Sequence, residues 1–347
     1  MADKVRFGLI GCGLISDFHG KAINASRGGV LVAAADMRAE RAEACVQKYG
    51  GRAMTIDELL ASPDIDVINV CTPNAYHGEY VIKAAEAGKH VLVEKPPELT
   101  LEKVDAMIAA CQKAGVKLGV VLNVRTRTAI QAIKKAIDEG RFGKILAADA
   151  YMKWYRSTEY YFMDDWRSSR AAGAGVIIQH AFHYFDLLQY LAGPVEKVMA
   201  KTLNLAHPQV QLEDTAAAFF TYKSGAFGLL QASTALYPGT DIRIEINGEN
   251  GTAIMVGERI DTWKFKEERP EDAEIRKIGS AAQATAAGGA ADFGVEEHTR
   301  IINDMIEAVR EDREPFVSAA SARHTLAIAL AMYESADNGG REVTVAE

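Results

Sequence analysis

Over the first 120 residues, short and mostly apolar runs alternate with stretches whose apolar positions recur every three to four residues. The runs at 5–10, 30–35, 67–70, 90–94 and 118–121 have the length and aliphatic content of strands buried on both faces. The amphipathic stretches 16–24, 39–49, 76–87 and 101–114 read as helices, and Gly50-Gly51, Gly88 and Gly115 stand where left-handed helix ends are needed. Strand and helix in alternation predict a parallel sheet covered on both sides. The rhythm changes after Asn123. A helix at 129–139 leads to a strand at 145–153, an aromatic segment at 155–167, and a helix over 176–191 closed by Gly193-Pro194. From 195 to 265 short alternating strands are joined by turn pairs such as Ser224-Gly225 and Asn247-Gly248, the pattern of hairpins. Helices at 296–310 and 319–336 finish the chain, and the Ala/Gly-rich residues 280–291 read as a mobile loop and a candidate lid. The expected fold is α/β, with a dinucleotide-type domain at 1–123. A second, α+β domain with a large, mostly antiparallel open sheet follows at 124–347.

Composition narrows the class. At 347 residues the chain is long enough for two domains, and 48% apolar with 25% charged residues is the mix of a globular protein. A formal net charge of -8 without any basic run excludes a general nucleic-acid binder. Cys12, Cys45, Cys71 and Cys111 lie far apart, match no zinc spacing and read as reduced thiols. The first residues lack the pattern of a secretory signal, and no run approaches the ~20 apolar residues of a membrane span. The expected location is the cytoplasm, with no membrane partner.

Gly11-Cys12-Gly13-Leu14-Ile15-Ser16 follows directly on the first strand and opens the first helix. The first glycine permits a tight turn, and the second lets the backbone approach a pyrophosphate at the positive end of the helix. Ser16 replaces the usual third glycine. Asp36 ends the second strand, about 20 residues on, where an acidic side chain accepts hydrogen bonds from the adenosine ribose. Strand, glycines, helix and acid in register identify a Rossmann domain. The carboxylate repels a 2′-phosphate and favours NAD, while Arg38 keeps NADP open. Met37 flanks the same site. Cys71-Thr72-Pro73-Asn74 and Glu94-Lys95-Pro96 end two further parallel strands at the same crevice. Burial lowers the pKa of a lysine, so Lys95 could act on a substrate hydroxyl.

The chain resembles the Gfo/Idh/MocA family, named for glucose–fructose oxidoreductase, inositol dehydrogenase and a rhizopine-catabolism protein. The resemblance runs over nearly the whole chain. Its anchors are the glycine motif, ThrProAsnAlaTyrHis at 72–77, GluLysPro at 94–96, and GlyAlaGlyValIleIleGlnHisAlaPheHisTyrPheAsp at 173–186. The last motif usually carries three glycines, an Asp or Asn, and a His four residues later; here those places hold Gly173-Ala174-Gly175, Gln179 and His183. The resemblance implies NAD(P)-dependent hydride transfer between a nicotinamide and the CH–OH or ketone of a sugar, glycoside, polyol or nucleotide sugar. It makes Lys95 and His183 the acid/base pair, with Gln179 orienting the substrate. It assigns the dinucleotide to Gly11, Gly13, Leu14, Ile15, Asp36, Met37, Arg38, Cys71, Thr72, Pro73, Asn74, His77, Glu94, Lys95 and Asn123. It also implies a homodimer or homotetramer formed through the C-terminal sheet; the strands carrying Phe219, Phe227 and Leu229 fit such a surface and equally fit a face packed on helices.

By spacing alone, Gln179 and His183 share a helix face, with Asp186 three residues further on. The bland reading of His183 is a core histidine, since Ala181, Phe182, Tyr184 and Phe185 surround it. His180, His183 and Asp186 spread over too wide an arc for a metal set, and no metal is expected. In the aromatic segment, sugar faces stack on rings while arginines fix hydroxyls. Candidate substrate residues are Arg125, Tyr155, Arg156, Tyr161, Trp166, Arg167, Gln179, His183 and Tyr237, with His298 a further pocket candidate. The aromatic segment equally reads as cover for a sheet edge. Two other functions stay open: redox-assisted 3-oxidation and elimination of a glycoside, and a dinucleotide or sugar sensor without chemistry, to which the Gln179 replacement points.

Overall fold

The computed structural model describes residues 4–279 and 294–347, so the loop expected at 280–291 lies outside the described residues. By internal contact the described residues form two compact units, one of residues 4–123 with 294–326, the other of residues 124–279 with 327–347.

The first unit is built on β1 (Val5–Ile10), β2 (Gly29–Ala35), β3 (Arg52–Ala53), β4 (Val67–Val70), β5 (His90–Val93) and β6 (Leu118–Val120). All pair in parallel in the order β3-β2-β1-β4-β5-β6. Strands between two helical layers must be apolar on both faces, and Phe7, Leu9, Ile10, Val67, Val70, Val91 and Val93 are all fully buried. The order reverses between β1 and β4, where doubly wound sheets open a crevice at the carboxyl ends. Register brings Ile10 opposite Val70 and Val70 opposite Val93, so the three strand ends lie side by side.

The crossover helices are Leu14–Ala25, Ala39–Tyr49, Ile56–Ala61, His77–Glu86 and Leu101–Ala114. Thr100 caps the last by accepting from the Lys103 N–H, and Gly115 closes it at φ 67°, ψ 27°. The sequence pattern passed over β3, which is two exposed residues, and the six-residue helix after it. That helix starts with a full capping box between Thr55 and Glu58.

Residues 294–326, placed by sequence with the second domain, pack into the first unit. The Glu296–Glu311 helix lies against Leu14–Ala25 and buries Ile301, Ile302, Met305 and Ile306. Arg27 N donates to Asn303 Oδ1 at 2.8 Å, and Val120 N to Val317 O at 3.1 Å. Chain order says nothing about such a return.

The second unit holds β7 (Ile145–Lys153), β8 (Val195–Leu203), β9 (Thr215–Tyr222), β10 (Phe227–Ser233), β11 (Arg243–Gly248), β12 (Gly251–Val256), β13 (Arg259–Phe265) and β14 (Val343–Thr344). They form one sheet in the order β13-β12-β11-β7-β10-β9-β8-β14, antiparallel except where β10 runs parallel to β7. Period-two alternation decides its faces. Ala216, Ala218, Phe220 and Tyr222 of β9 point inward, while Ala217 and Phe219 point out. The Phe182–Ala192 helix covers β7 on the inner face. The helix expected over 176–191 has two forms: Val176–Ala181 is a π-helical turn that runs into the α-helix.

Candidate active site

Chemistry in the first unit is assembled at the carboxyl ends of β1, β4 and β5. Gly11 has φ +94°, and a Cβ there would lie 2.7 Å from the carbonyl of Cys71 and 2.8 Å from Thr72 N. Only glycine fits this turn. Gly13 starts the Leu14–Ala25 helix with no side-chain cap, and the space where its Cβ would stand is open. Uncapped N–H groups beside an open glycine suit an anionic pyrophosphate. Leu14 is exposed and Ile15 half-buried at this helix start. Ser16, in place of the third glycine, is buried and donates back to Gly13 O at 2.6 Å, so its hydroxyl rigidifies the turn.

Asp36 is tied to the same turn. Its carboxylate accepts Cys12 N at 2.7 Å and Arg38 N at 2.9 Å, while Met37 beside it is 86% exposed. Each oxygen retains a lone pair for a ribose hydroxyl. Thr72 Oγ1 is buried without a hydrogen-bond partner, an unsatisfied polar atom at the edge of the crevice. These features fit a bound dinucleotide. Asn74 is buried and Pro73 exposed in the same loop. His77 stands differently: it is fully buried, and its two ring nitrogens lie 2.7 Å from Pro96 O and 2.9 Å from Thr72 O. It straps the two loops together from beneath.

Glu94 and Lys95 follow β5. Glu94 is 6% exposed; its Oε1 lies 2.8 Å from His19 Nε2 and 3.8 Å from His298 Nε2, and its Oε2 accepts Lys95 N at 3.1 Å. Asn69 Nδ2 lies 2.8 Å from His19 Nδ1, and Asn123 Nδ2 lies 3.2 Å from His298 Nδ1. Burial alone would raise the Glu94 carboxyl, but the hydrogen bond from His19 and the nearby His298 ring overcome it and hold the group well below the usual carboxylate range. Burial pushes Lys95 down from the ordinary lysine value, and the Glu94 charge opposes that shift. Lys95 nevertheless keeps part of its surface exposed.

Sequence reasoning missed His19 and Asn69. The signal was there: Asn69 is the one polar residue in the strand ValIleAsnVal. Asn123 and His298, expected at the cofactor and in a substrate pocket, both belong to this buried network. His19, Glu94 and His298 form, among the described residues, the one group of donors close enough to suggest a metal. An amide N–H on His19 Nδ1 leaves the ring proton on Nε2, aimed at Glu94 at hydrogen-bond distance, which is the arrangement of a donor and not of a ligand.

In the second unit, Gly175 precedes the π-helical turn at φ +115°, and a Cβ there would collide with the Glu213 carboxylate. Single π turns recur at functional sites. Gln179, from this turn, donates through Nε2 to the Tyr160 hydroxyl at 2.8 Å. Arg167 Nη1 donates to the same oxygen at 2.8 Å. The Arg167 and Arg156 guanidinium groups lie 4.8 and 5.7 Å from the Tyr160 ring centre. Tyr160, from the aromatic segment, is thus where Gln179, Arg156 and Arg167 meet. His183 is partly exposed in a helix whose neighbouring residues Phe182, Tyr184 and Phe185 are fully buried.

The remaining substrate candidates have the following surroundings. Arg125 and Asp186 are both buried and joined by a two-pronged ion pair at 2.7 and 2.5 Å. Tyr161 is buried against His207, with its hydroxyl 2.7 Å from Thr234 Oγ1, and burial pushes that hydroxyl up to about 12. Trp166 is half-buried with the Arg167 guanidinium 4.7 Å from its ring centre. Tyr155 and Tyr237 meet edge to face at 5.2 Å, Tyr237 being 82% exposed.

Residues 5–122 match an oxidoreductase family with an NAD-binding Rossmann fold, and residues 130–254 match the GFO/IDH/MocA C-terminal domain. The inositol 2-dehydrogenase of Rhizobium meliloti (strain 1021) is 31% identical over 259 residues, which span 74% of this chain and 76% of that protein. The chain belongs to the Gfo/Idh/MocA family of oxidoreductases. The 1,5-anhydro-D-fructose reductase of Ensifer adhaerens is 34% identical over 75% of this chain and 77% of its own. Among solved structures, the WlbA dehydrogenase from Bordetella pertussis, in complex with NADH and UDP-GlcNAcA, superposes with a TM-score of 0.87 at 33% identity, covering 99% of each chain. This Gfo/Idh/MocA member is an NAD-binding oxidoreductase of the sugar and polyol dehydrogenase type. No helix among its described residues is long and apolar enough to cross a membrane.

Proposed function

We propose that Lys95 and His183 exchange the proton of a sugar hydroxyl while its carbon gives up hydride, and that Gln179 orients the sugar. Bound NAD supplies the hydride acceptor at nicotinamide C4. The observation that carries this reading is the Glu94–Lys95 pair. It follows directly on β5, next to the β4 end that carries Thr72; Lys95 is partly exposed, burial lowers its ammonium, and the Glu94 charge opposes that shift. In oxidation the neutral Lys95 amine takes the hydroxyl proton; in ketone reduction the ammonium returns it. A base within hydrogen-bond reach typically contributes about 10²–10⁴-fold. Lys95→Ala should lower kcat by that range and weaken NADH binding, read by quenching of intrinsic fluorescence, far less; unaltered kcat overturns the assignment.

Candidate substrates follow from the relatives: UDP-GlcNAcA, levoglucosan and myo-inositol, with UDP-GlcNAcA first because its protein is 33% identical over 99% of each chain, against 26% for the levoglucosan complex. The buried guanidinium groups of Arg156 and Arg167 beside Tyr160 and Gln179 support an anionic sugar. Steady-state NADH production with this panel, using NAD and NADP, tests the choice.

The outer sheet face supports self-association. Register places Met199, Phe219 and Leu229 in one row across β8, β9 and β10, each at least 40% exposed, and Phe227 stacks on Phe219 at 6.0 Å. Such a contiguous apolar row marks an interface, and a second copy of this chain is the proposed partner.

A further inference from the structure

The Rossmann unit has a buried polar relay that reaches Lys95 from behind. Asn69 sits in the middle of the sheet, opposite Leu9 of β1 and Leu92 of β5, and is completely buried. A polar side chain in that position weakens an apolar core unless it has a partner with a purpose. Its partner is His19 Nδ1, at 2.8 Å. His19 itself is 1% exposed and turns its other nitrogen to Glu94 Oε1, also at 2.8 Å. The far oxygen of Glu94 accepts the backbone N–H of Lys95.

We propose that His19 is a positioning residue for the reaction: with Asn69 fixing its proton on Nε2, it keeps the Glu94 carboxylate ionised beside Lys95 and so sets the pH range in which Lys95 exchanges protons. The inference rests on Lys95 being the acid/base group. A neutral imidazole with one N–H can donate only from the nitrogen that does not accept. Asn69 occupies Nδ1 as donor, so the ring must donate from Nε2. Burial lowers His19 from the ordinary histidine value, in keeping with a neutral donor that adds no charge of its own. The negative charge therefore stays on Glu94, next to Lys95.

Other titratable groups in this unit also face the pair. His298 reaches Glu94 from the Glu296–Glu311 helix at 3.8 Å. Cys71, after β4, has a thiol raised by burial and then by Glu94. His77, from the next helix, is lowered by burial while Glu94 and Glu98 oppose. Cys71 and His77 are both held in the uncharged form, which leaves Glu94 as the charge that Lys95 feels.

The sign follows. Removing the Glu94 charge removes what stabilises the Lys95 ammonium, so the amine becomes neutral at lower pH. Removing the His19 donor leaves a buried carboxyl with one supporter fewer; it protonates more readily, with the same consequence for Lys95. The test is the pH profile of kcat/KM for substrate oxidation in wild type, Glu94→Gln, His19→Leu, His19→Gln, Asn69→Leu and Lys95→Met. The ascending limb should move to lower pH by about one unit or more in Glu94→Gln. It should move the same way in His19→Leu, and by less in Asn69→Leu. His19→Gln, whose amide still donates to Glu94, should keep the wild-type limb. A limb that stays in place in every variant while rates merely scale down overturns the proposal. Should His19→Leu not fold, Asn69→Leu and Glu94→Gln decide by the same criterion. Lys95→Met separates the two readings: a retained ascending limb there sinks the assignment of Lys95 itself, whatever His19 does.

Discussion

The Asp36 carboxylate accepts the backbone N–H of Cys12 at 2.7 Å, so the residue assigned to the ribose also braces the glycine turn assigned to the pyrophosphate. On that assignment, one side chain joins the two halves of dinucleotide recognition. Asp36→Ala should raise the KM for NAD at least tenfold and narrow the preference over NADP, since it removes both the ribose acceptor and the charge that repels a 2′-phosphate. Initial rates with both cofactors measure this; an unchanged NAD:NADP ratio refutes it.

Gly11→Ala introduces a Cβ against the Cys71 carbonyl in a turn that requires positive φ. Strain of this kind costs of order 1–3 kcal/mol. Urea unfolding should show that loss, and NADH binding should weaken because the turn itself must shift.

Arg125→Ala leaves the fully buried Asp186 carboxylate without its guanidinium. Breaking a buried pair costs about 3–5 kcal/mol, whereas replacing both partners with apolar groups is often near neutral. The double variant Arg125→Met/Asp186→Leu should thus recover most of the stability lost in the single one. A double variant no more stable than Arg125→Ala contradicts the account.

Acid should find a weak point at Asp272. Arg141 contacts its carboxylate at 2.7 and 2.9 Å, and Trp263 Nε1 and Arg269 N donate to it as well, both near 2.8 Å. The Arg141 hydrogen bonds, above all, hold it well below the usual carboxylate range. A group whose folded pKa is depressed contributes stability that is complete above its unfolded value, about 4, and drains away as pH falls towards the folded value. Asp272→Asn should lower the thermal midpoint at pH 7, and the gap to wild type should shrink steadily below about pH 4. A gap that is constant over this range argues against the linkage.

Phe219→Glu places a charge in the outward row of the sheet. Light scattering should report a shift from oligomer to monomer with the fold intact by circular dichroism. A wild type that is already monomeric rules out the proposed face.

Much of the fold was legible because periodicity carries it. Two-sided apolar runs announced the parallel sheet, and alternation announced the open one. The Gly11, Asp36 and Lys95 positions could be read because each follows a strand end, and strand ends set the chemistry of such sheets. What escaped needed three-dimensional pairing. Nothing in the sequence shows that Asn69 and His19, 50 residues apart, share a hydrogen bond. Nor does it show that Arg125 spends its charge on Asp186, or that Tyr160 gathers Gln179 and Arg167. The π-helical turn also escaped, since its wider winding begins at Gly175 and leaves the apolar composition of the segment unchanged.

The return of residues 294–326 to the first unit bears on how the protein is made. Strand β6 donates a hydrogen bond to the last third of the chain, and His298 completes the surroundings of Glu94 from that same late segment. On the ribosome, every strand of this sheet emerges well before the segment that completes the unit. A gene fragment ending at Asn123 would encode every strand of that sheet, yet it would leave the Leu14–Ala25 helix bare where Ile301, Ile302, Met305 and Ile306 belong.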